Sequence, residues 1–255
     1  MLLTVLGCSG SLPSPSSPSS GYLIDAGDAR LILDLGNGTL GQLLHQVDPF
    51  SVDALLLSHL HPDHCADVSA LTVLRRFHPD APVDPGAARL PIYAPAEAPS
   101  RLAAAFAPDA AQLAETDFSD VYDFRAWPAA PEINGVDVGV ARVVHPCEAY
   151  GLRLEHEGRT LVYTGDSAVC PALTELSEGA DVLLAEASWT HTDDRPPGLH
   201  LSGREAGELA KAARVGRLIL THVLPWTDPA DVLAEAKAAF GGDVVLAEVG
   251  ARYAV

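Results

Sequence analysis

The chain has 255 residues, of which 48% are hydrophobic, and a formal net charge of −18. This length suits one large domain with a sizeable core, and we expect a single domain over residues 1–255. The acidic excess would repel a phosphate backbone, which argues against extended contact with nucleic acid. No apolar stretch reaches membrane-spanning length, and four cysteines without CxxC spacing suit a reducing compartment, so we expect a cytoplasmic protein without a membrane partner.

The chain begins with short apolar runs of strand length. Leu2–Gly7, Gly21–Asp25 and Arg30–Asp34 are predicted strands. The segment Cys8–Ser20 is rich in Gly, Ser and Pro and is predicted to be a loop. Gly36–Gln46 is typical of a turn that enters a helix.

A dense group of metal-binding side chains follows the next apolar run. Ala54–Ser58 has the length of a buried strand, and a helical pattern begins at Val68. Between them, His59-Leu60-His61-Pro62-Asp63-His64 places three imidazoles and a carboxylate within six positions. These are ligand types of Zn²⁺ and similar cations. The motif predicts a metal site at a strand-to-helix turn, and the alternative is a set of solvated loop histidines.

The rest of the chain contains further strands and helices. The predicted strands are a short one near Pro91–Ala94, and Val136–Val144, Tyr150–Glu155, Thr160–Thr164, Val182–Ala185, Leu218–Thr221 and Val244–Ala247. The predicted helices are Pro99–Leu113, a helix that the capping box Ser202–Glu205 opens and Gly216 ends, and a helix from Asp228-Pro229 to Phe240. Strands come first, and strands and helices alternate later. This order predicts an α/β protein, a four-layer αβ/βα sandwich with helices on both outer faces.

Three more candidate ligands each follow a predicted strand. His145 follows Val143-Val144, Asp166 follows Thr160–Thr164, and His222 follows Leu218–Thr221. Since strand ends converge at one edge of a sheet, residues far apart in sequence can meet there. Each alone could be a hydrogen-bonded structural residue.

In this order the motifs resemble those of the metallo-β-lactamase-fold hydrolases: HxHxDH, then a His, an Asp and a His. The match extends from Gly7 to His222. The resemblance implies one metal held by His59, His61 and His145, a second held by Asp63, His64 and His222, and Asp166 as a bridge between them. The metallo-β-lactamase fold is the four-layer sandwich predicted above.

Two further residues resemble those of the ribonuclease Z-like phosphodiesterases within this superfamily. His200 lies in Gly198–Ser202, and Glu186 lies in Ala185–Ser188. In that branch such a His faces the scissile phosphate and such a Glu orients it, although each could be an ordinary loop or strand-end residue. The segments Leu6–Ser11 and His145–Gly151 are most similar to an actinobacterial-type subgroup linked to 3′,5′-cyclic nucleotide hydrolysis.

The resemblance implies a binuclear phosphodiesterase. Two divalent cations would hold a water between them as hydroxide, which would attack phosphorus. The second motif position is His61, whereas the oxygen-reducing di-iron relatives have a Glu there, in a motif that resembles HxExDH. The expected metal is therefore Zn²⁺, with Mn²⁺ or Fe²⁺ as alternatives. Asp63, His200 and Glu186 are the expected catalytic residues, with His200 protonating the leaving oxygen. The expected substrate is a small anionic phosphodiester, 3′,5′-cyclic AMP hydrolysed to 5′-AMP. A homodimer follows from the resemblance alone.

Three rival functions stay open. They are tRNA 3′-end processing, hydrolysis of an ester, lactone or thioester on the same fold, and metal binding without catalysis. The charge argues against the first, as does the short interval between His145 and Asp166, where ribonuclease Z inserts its substrate-binding arm. His200 and Glu186 argue against the second.

The remaining candidates are cysteines and aromatic residues. Cys65 is expected to pack in the core rather than to bind metal, and Cys8 and Cys147 could line the pocket. Tyr22, Tyr150 and Trp226 could stack on a base, but core packing is the expected role of each. A base is expected to lie against the Pro79–Phe124 region.

Overall fold

Two β-sheets lie face to face in the computed structural model, which describes residues 1–79, 81 and 88–255. The strands are β1 (Leu2–Gly7), β2 (Gly21–Ala26), β3 (Ala29–Leu35), β4 (Ala54–Leu56), β5 (Leu90–Ala94), β6 (Tyr122–Ala126), β7 (Glu132–Ile133), β8 (Val136–Arg142), β9 (Tyr150–His156), β10 (Arg159–Tyr163), β11 (Val182–Glu186), β12 (Arg217–Thr221), β13 (Asp243–Leu246) and β14 (Arg252–Ala254). The first sheet has the order β14-β1-β2-β3-β4-β5-β6, and the second has the order β13-β12-β11-β10-β9-β8-β7.

Helices cover the outer faces of both sheets. They are α1 (Thr39–Gln46), α2 (Pro62–Cys65), α3 (Val68–Phe77), α4 (Ala98–Phe106), α5 (Ala110–Leu113), α6 (Pro171–Ser177), α7 (Gly203–Ala212) and α8 (Pro229–Phe240), with a 3₁₀ turn at Pro49–Ser51. None of the helices in the described ranges is long and apolar enough to cross a membrane.

Alternating side chains build the layers. On β3, Leu31 and Leu33 point between the sheets, whereas Ile32 packs against the helices outside. On β12, Ile219 points inward and Leu218 packs outward against the helices of the second sheet. This is the two-residue period of a strand buried on both faces. The predicted four-layer α/β sandwich is therefore confirmed.

Several predicted elements differ in detail. The helix predicted over Pro99–Leu113 is two helices, because Pro108 excludes the preceding Ala107 from helical backbone, and Ala107 is extended. Gly216 does not end α7. Arg214 takes the left-handed conformation there, with φ 56°, and Val215 N–H donates to Ala210 O. The strands β6, β7 and β14 were not predicted, because they lie at or near sheet edges and carry weak apolar patterns.

The carboxyl ends of strands from both sheets meet at one edge of the sandwich. β3 and β4 run parallel in the first sheet, and β10, β11 and β12 run parallel in the second. Tyr150 N–H donates to Ser58 O at 3.0 Å, which ties the two sheets together beside this edge. Residues that follow these strands therefore converge.

Candidate metal centre

Five chain segments bring polar side chains to this edge. The loop after β4 supplies His59 and His61, and the short helix α2 supplies Asp63 and His64. The other three segments follow β8, β10 and β12 and supply His145, Asp166 and His222. His222 has left-handed backbone, with φ 58°. Such backbone is uncommon for a residue other than glycine and is concentrated at functional sites.

The first group of side chains contains His59, His61 and His145. The Nδ1 atom of His61 lies 3.0 Å from His59 Nε2 and 3.1 Å from His145 Nε2. His145 Nδ1–H donates to Leu199 O at 2.9 Å, and His59 Nδ1 lies 3.1 Å from Ser58 Oγ. These outer hydrogen bonds leave lone pairs on both Nε2 atoms, so three ring nitrogens converge as a cation would require.

The second group contains Asp63, His64, Asp166 and His222, all buried. His222 Nε2 lies 3.1 Å from an Asp63 oxygen, and His64 Nε2 lies 3.2 Å from Asp166 Oδ1. The other Asp166 oxygen lies 3.7 Å from His59 Nε2 and 3.4 Å from His222 Nε2. Asp166 thus faces both groups, and its role as a bridge between two metals stays a prediction.

The electrostatics suit metal ligands, which must be deprotonated. Burial lowers the pKa of His145 to about 4, although Asp166 opposes this, and burial also lowers the pKa values of His59 and His61. Burial would raise the pKa of Asp166, but His222 and His64 hold it well below its usual range. The imidazoles of the first group are therefore neutral and Asp166 is ionised near neutral pH. Burial would lower the pKa of His64, but Asp166 and Asp34 raise it well above its usual value, so a cation would replace a proton on that ring.

The second group is incomplete without a cation. His64 Nδ1–H donates to Asp34 Oδ2 at 2.7 Å, so Nε2 is the ring nitrogen that faces the second group. That Nε2 and Asp166 Oδ1 are buried and have no hydrogen-bond partner, and such groups are costly unless a ligand satisfies them. Together with the imidazole and carboxylate donors, this fits a pair of divalent cations.

Asp34 supports both groups from behind and was not identified in the sequence. Its carboxylate accepts hydrogen bonds from Ser58 N–H and Ser58 Oγ at 2.7 Å, His64 Nδ1 at 2.7 Å and Tyr163 OH at 2.8 Å. Ser58 in turn bonds His59, so one carboxylate orients two ligand histidines. Asp34 ends the predicted strand Arg30–Asp34, so the strand-end criterion used for Asp166 could have found it.

His200 and Glu186 meet beside the second group. His200 Nδ1 lies 3.0 Å from Glu186 Oε2 and 3.8 Å from an Asp166 oxygen. Burial alone would lower the pKa of His200, but the Glu186 carboxylate outweighs it and raises the pKa to about 9. Burial raises the pKa of Glu186 and His200 opposes this. Ser167 N–H and Ser188 O–H also donate to Glu186, so we assign the proton of the pair to His200 near neutral pH.

Two neighbours of this pair were also missed. Ser188 Oγ lies 3.0 Å from His222 Nδ1, so a chain of hydrogen bonds runs from His222 through Ser188 to Glu186. The Trp189 ring packs edge-on against His200, with centroids 5.3 Å apart. Ser188 and Trp189 follow Glu186 by two and three residues in the sequence. This short separation was the signal that could have identified them.

The remaining cysteine and aromatic candidates differ in where they lie. Cys65 is buried, and its thiol donates to the backbone His61 O at 3.3 Å rather than joining either group of candidate ligands. Tyr22 and Tyr150 are buried in the core, as expected. Trp226 is 71% exposed, so the expectation that it packs in the core was wrong. In the Pro79–Phe124 region, residues 80 and 82–87 lie outside the described residues.

Comparison with known proteins adds relatives to this geometry. The family model described as "Beta-lactamase superfamily domain" matches residues 22–223. An uncharacterized protein of Mycobacterium leprae is 51% identical over 246 residues, which are 95% of this chain and 84% of that protein. Ribonuclease Z of Mycobacterium bovis is 30% identical over 248 residues, which cover 89% of this chain and 87% of that protein.

One relative is similar in both sequence and structure. The Bacillus subtilis protein named "Probable metallo-hydrolase YhfI" is 31% identical over 252 residues, which cover 98% of each chain. Its crystal structure, described as a metallo-beta-lactamase fold protein, has a TM-score of 0.84 to this chain and 29% sequence identity, with 99% of each chain covered.

Proposed function

Since the chain belongs to the beta-lactamase superfamily and is a metal-dependent hydrolase, we propose that it hydrolyses a small phosphodiester, with 3′,5′-cyclic AMP as substrate and 5′-AMP as product. The proposed ligands are His59, His61 and His145 at one position and Asp63, His64 and His222 at the other, with Asp166 shared. Zn²⁺ is the proposed metal, because imidazoles form most of the donor set.

The buried His200–Glu186 pair carries this proposal. Glu186 lies behind His200 and bonds its Nδ1, so His200 Nε2 is the atom that can serve a substrate. The ring also lies among the ligands, with its centroid 5.2 Å from that of His222 and 5.6 Å from that of His145. A fixed imidazolium beside the metal positions suits a phosphodiester, whose leaving oxygen needs a proton.

The catalytic roles follow from this arrangement. Two divalent cations would supply Lewis-acid stabilisation of the phosphoryl charge and would make a water molecule more acidic. His200 donates a proton from Nε2 to the leaving sugar oxygen, and Glu186 orients the ring and stabilises its charge. Ser188 and Asp34 hold the rings of His222 and His64 in the orientations that their hydrogen bonds impose.

The relationship to ribonuclease Z makes tRNA 3′-end processing a second candidate. Two observations argue against it. The net charge is −18, and the interval between His145 and Asp166 contains only the hairpin of β9 and β10, joined at Glu157-Gly158. An inserted RNA-binding arm has no place in that hairpin, and phosphate contacts dominate nucleic-acid affinity.

The test is turnover of 3′,5′-cyclic AMP beside bis(p-nitrophenyl) phosphate, a precursor tRNA and a thioester, with the metal content measured. We expect hydrolysis of both diesters with 5′-AMP as the nucleotide product. His200→Ala should keep its metals and lose about 10²–10⁴-fold in kcat, whereas His191→Ala should keep most of its activity. Full turnover by His200→Ala would contradict the proposed acid, and cleavage of the thioester or tRNA alone would contradict the substrate class.

A further inference from the structure

Cys147 lies against the first group of ligands as a fourth donor. Its Sγ and one ring nitrogen from each of His59, His61 and His145 all lie within 4.8 Å of one another. Cys147 belongs to the same chain segment as His145, two residues further on, and it is partly exposed. The segment after β8 can therefore offer two donors to one cation.

The other three cysteines have contacts elsewhere. Cys65 donates to His61 O at 3.3 Å, Cys8 donates to Ala247 O at 3.4 Å, and Cys170 lies 3.8 Å from Ser167 Oγ. All four cysteines are in the described part of the chain, and among them only Cys147 joins a group of potential metal ligands. Proximity to the candidate ligands therefore distinguishes Cys147 from the other three cysteines of this chain.

The histidine geometry independently indicates a cation at this point. The Nε2 atoms of His59 and His145 carry lone pairs, and both face His61 Nδ1 at about 3 Å. A proton on His61 could bond only one of them well. A cation coordinated by all three nitrogens removes the repulsion, and the Cys147 sulfur is a further donor within reach of it.

We propose that Cys147 is a further protein ligand of the cation held by His59, His61 and His145, in addition to the shared Asp166 carboxylate. This inference rests on the proposed metal centre and goes beyond it, since the seven ligands above include no sulfur. As the sulfur–metal bond forms, the thiol proton is released to solvent.

The two positions then differ in chemistry. Apart from the shared Asp166, three imidazoles and a thiolate give the first position a soft donor set that favours Zn²⁺, whereas Asp63, His64 and His222 give the second a carboxylate and two imidazoles. The second position accepts harder cations such as Mn²⁺ more readily. Protein supplied with both metals should therefore bind zinc at the first position and manganese at the second.

The test uses Co²⁺ as a spectroscopic probe, with the bound metal quantified. We expect the near-ultraviolet charge-transfer absorption of a thiolate–cobalt bond in the wild type and in Cys8→Ser, and its loss in Cys147→Ser. Zinc affinity at the tighter position should fall at least about 100-fold in Cys147→Ser, because the loss of even an outer-shell partner costs 10–100-fold.

The outcomes separate this inference from the proposed function. Two cobalt ions bound to wild type without that absorption would overturn the thiolate ligand and leave the metal centre intact. A wild type that binds no metal would overturn both. If Cys147→Ser fails to fold, alkylation of Cys147 in the wild type is measured by mass spectrometry with and without Zn²⁺. Protection of Cys147 by Zn²⁺ would support the inference, and equal alkylation in both samples would overturn it.

Discussion

At the scale of single residues, two buried carboxylates, Asp34 and Glu186, orient the histidine rings of the candidate site through hydrogen bonds. Asp34 accepts four hydrogen bonds and orients His64 directly and His59 through Ser58. Glu186 has the corresponding role for His200 directly and for His222 through Ser188. Each carboxylate controls one histidine by contact and a second through a serine hydroxyl.

Asp34→Asn tests this support. An amide nitrogen in place of Oδ2 cannot accept from Ser58, His64 and Tyr163, so we expect a loss of about 2–4 kcal/mol in the free energy of unfolding. Metal affinity should fall about 10–100-fold. Urea unfolding and competition with a chelator measure the two effects. Asp25→Asn, at a partly exposed carboxylate on β2, should change stability by less than about 1 kcal/mol. Equal behaviour of the two variants would refute the role of Asp34.

The sequence identified candidate site residues from their chemical type and their position at strand ends, because it contains no information on the distances between side chains. The HxHxDH motif and the strand-end residues His145, Asp166 and His222 were predicted as ligands because imidazole and carboxylate have few reasons to cluster there. Asp34 and Ser188 were missed because a polar residue at a strand end is common, and only the fold shows which ones face a ligand ring. Cys8 and Cys147 were both expected as residues that could line the pocket, and only the fold shows that Cys147 lies beside His59, His61 and His145.

At the scale of elements, α7 and α8 pack closely because α7 carries glycines at the contact. A Cβ on Gly207 would lie 2.6 Å from Ala236 O and 2.8 Å from Ala239 Cβ. α7 begins three residues after His200, and its capping box fixes Ser202. The packing of this helix should therefore help to position His200, the proposed proton donor.

Two glycine substitutions should have effects of opposite sign. Gly207→Ala should destabilise the protein by about 1–3 kcal/mol because the added methyl group overlaps α8. Gly41→Ala lies in the exposed face of α1, where nothing is within 4 Å of the new Cβ, and should stabilise by about 0.5–1 kcal/mol. Urea midpoints measure both. A Gly207→Ala variant as stable as wild type would show that the two helices have room to separate.

The α7 cap should also give an acid-labile contribution to stability. Burial would raise the pKa of Glu205, but hydrogen bonds from Arg195 and Ser202 lower it to about 2 from 4.5. A depressed pKa stabilises the folded state above pH 4.5, and this contribution is lost as pH falls from 4.5 towards 2. Glu205→Gln should therefore flatten the pH dependence of unfolding in this window. Glu208→Gln, on the same helix, should keep the wild-type slope, and identical slopes for all three proteins would contradict the assignment.

Elements with strong periodicity were predicted almost to the residue, and weak ones were not. β1 has its predicted bounds, and α8 starts at Pro229 after the Asp228 cap and ends at Phe240 as expected. The edge strands β7 and β14 carry too few apolar positions for a period to be seen. Their pairing depends on neighbours that are distant in sequence.

At the scale of the whole molecule, the metal groups lie at one edge of a sandwich that has three hydrophobic clusters of its own. One cluster fills the space between the sheets, and the others lie between each sheet and its helices. Each cluster is built from apolar side chains, which can pack without a cation. Folding should therefore not depend on the metals, although the metals add stability.

Metal removal tests this separation. Protein stripped by a chelator should keep its far-ultraviolet circular dichroism but melt at a lower temperature. Zinc restored at 100 times its Kd should add about 2.7 kcal/mol per occupied site. Magnesium at the same concentration is the control and should add less. A stripped protein that is unfolded, or one whose melting temperature does not change, would contradict the proposed arrangement.

The most direct test of the central claim is a metal titration of phosphodiester hydrolysis, with stripped protein, stepwise Zn²⁺ and 3′,5′-cyclic AMP or bis(p-nitrophenyl) phosphate as substrate. We predict negligible turnover without metal and a rate that rises to a plateau at two equivalents per chain. Full turnover by stripped protein, or two bound metals without hydrolysis of either diester, would contradict a binuclear phosphodiesterase.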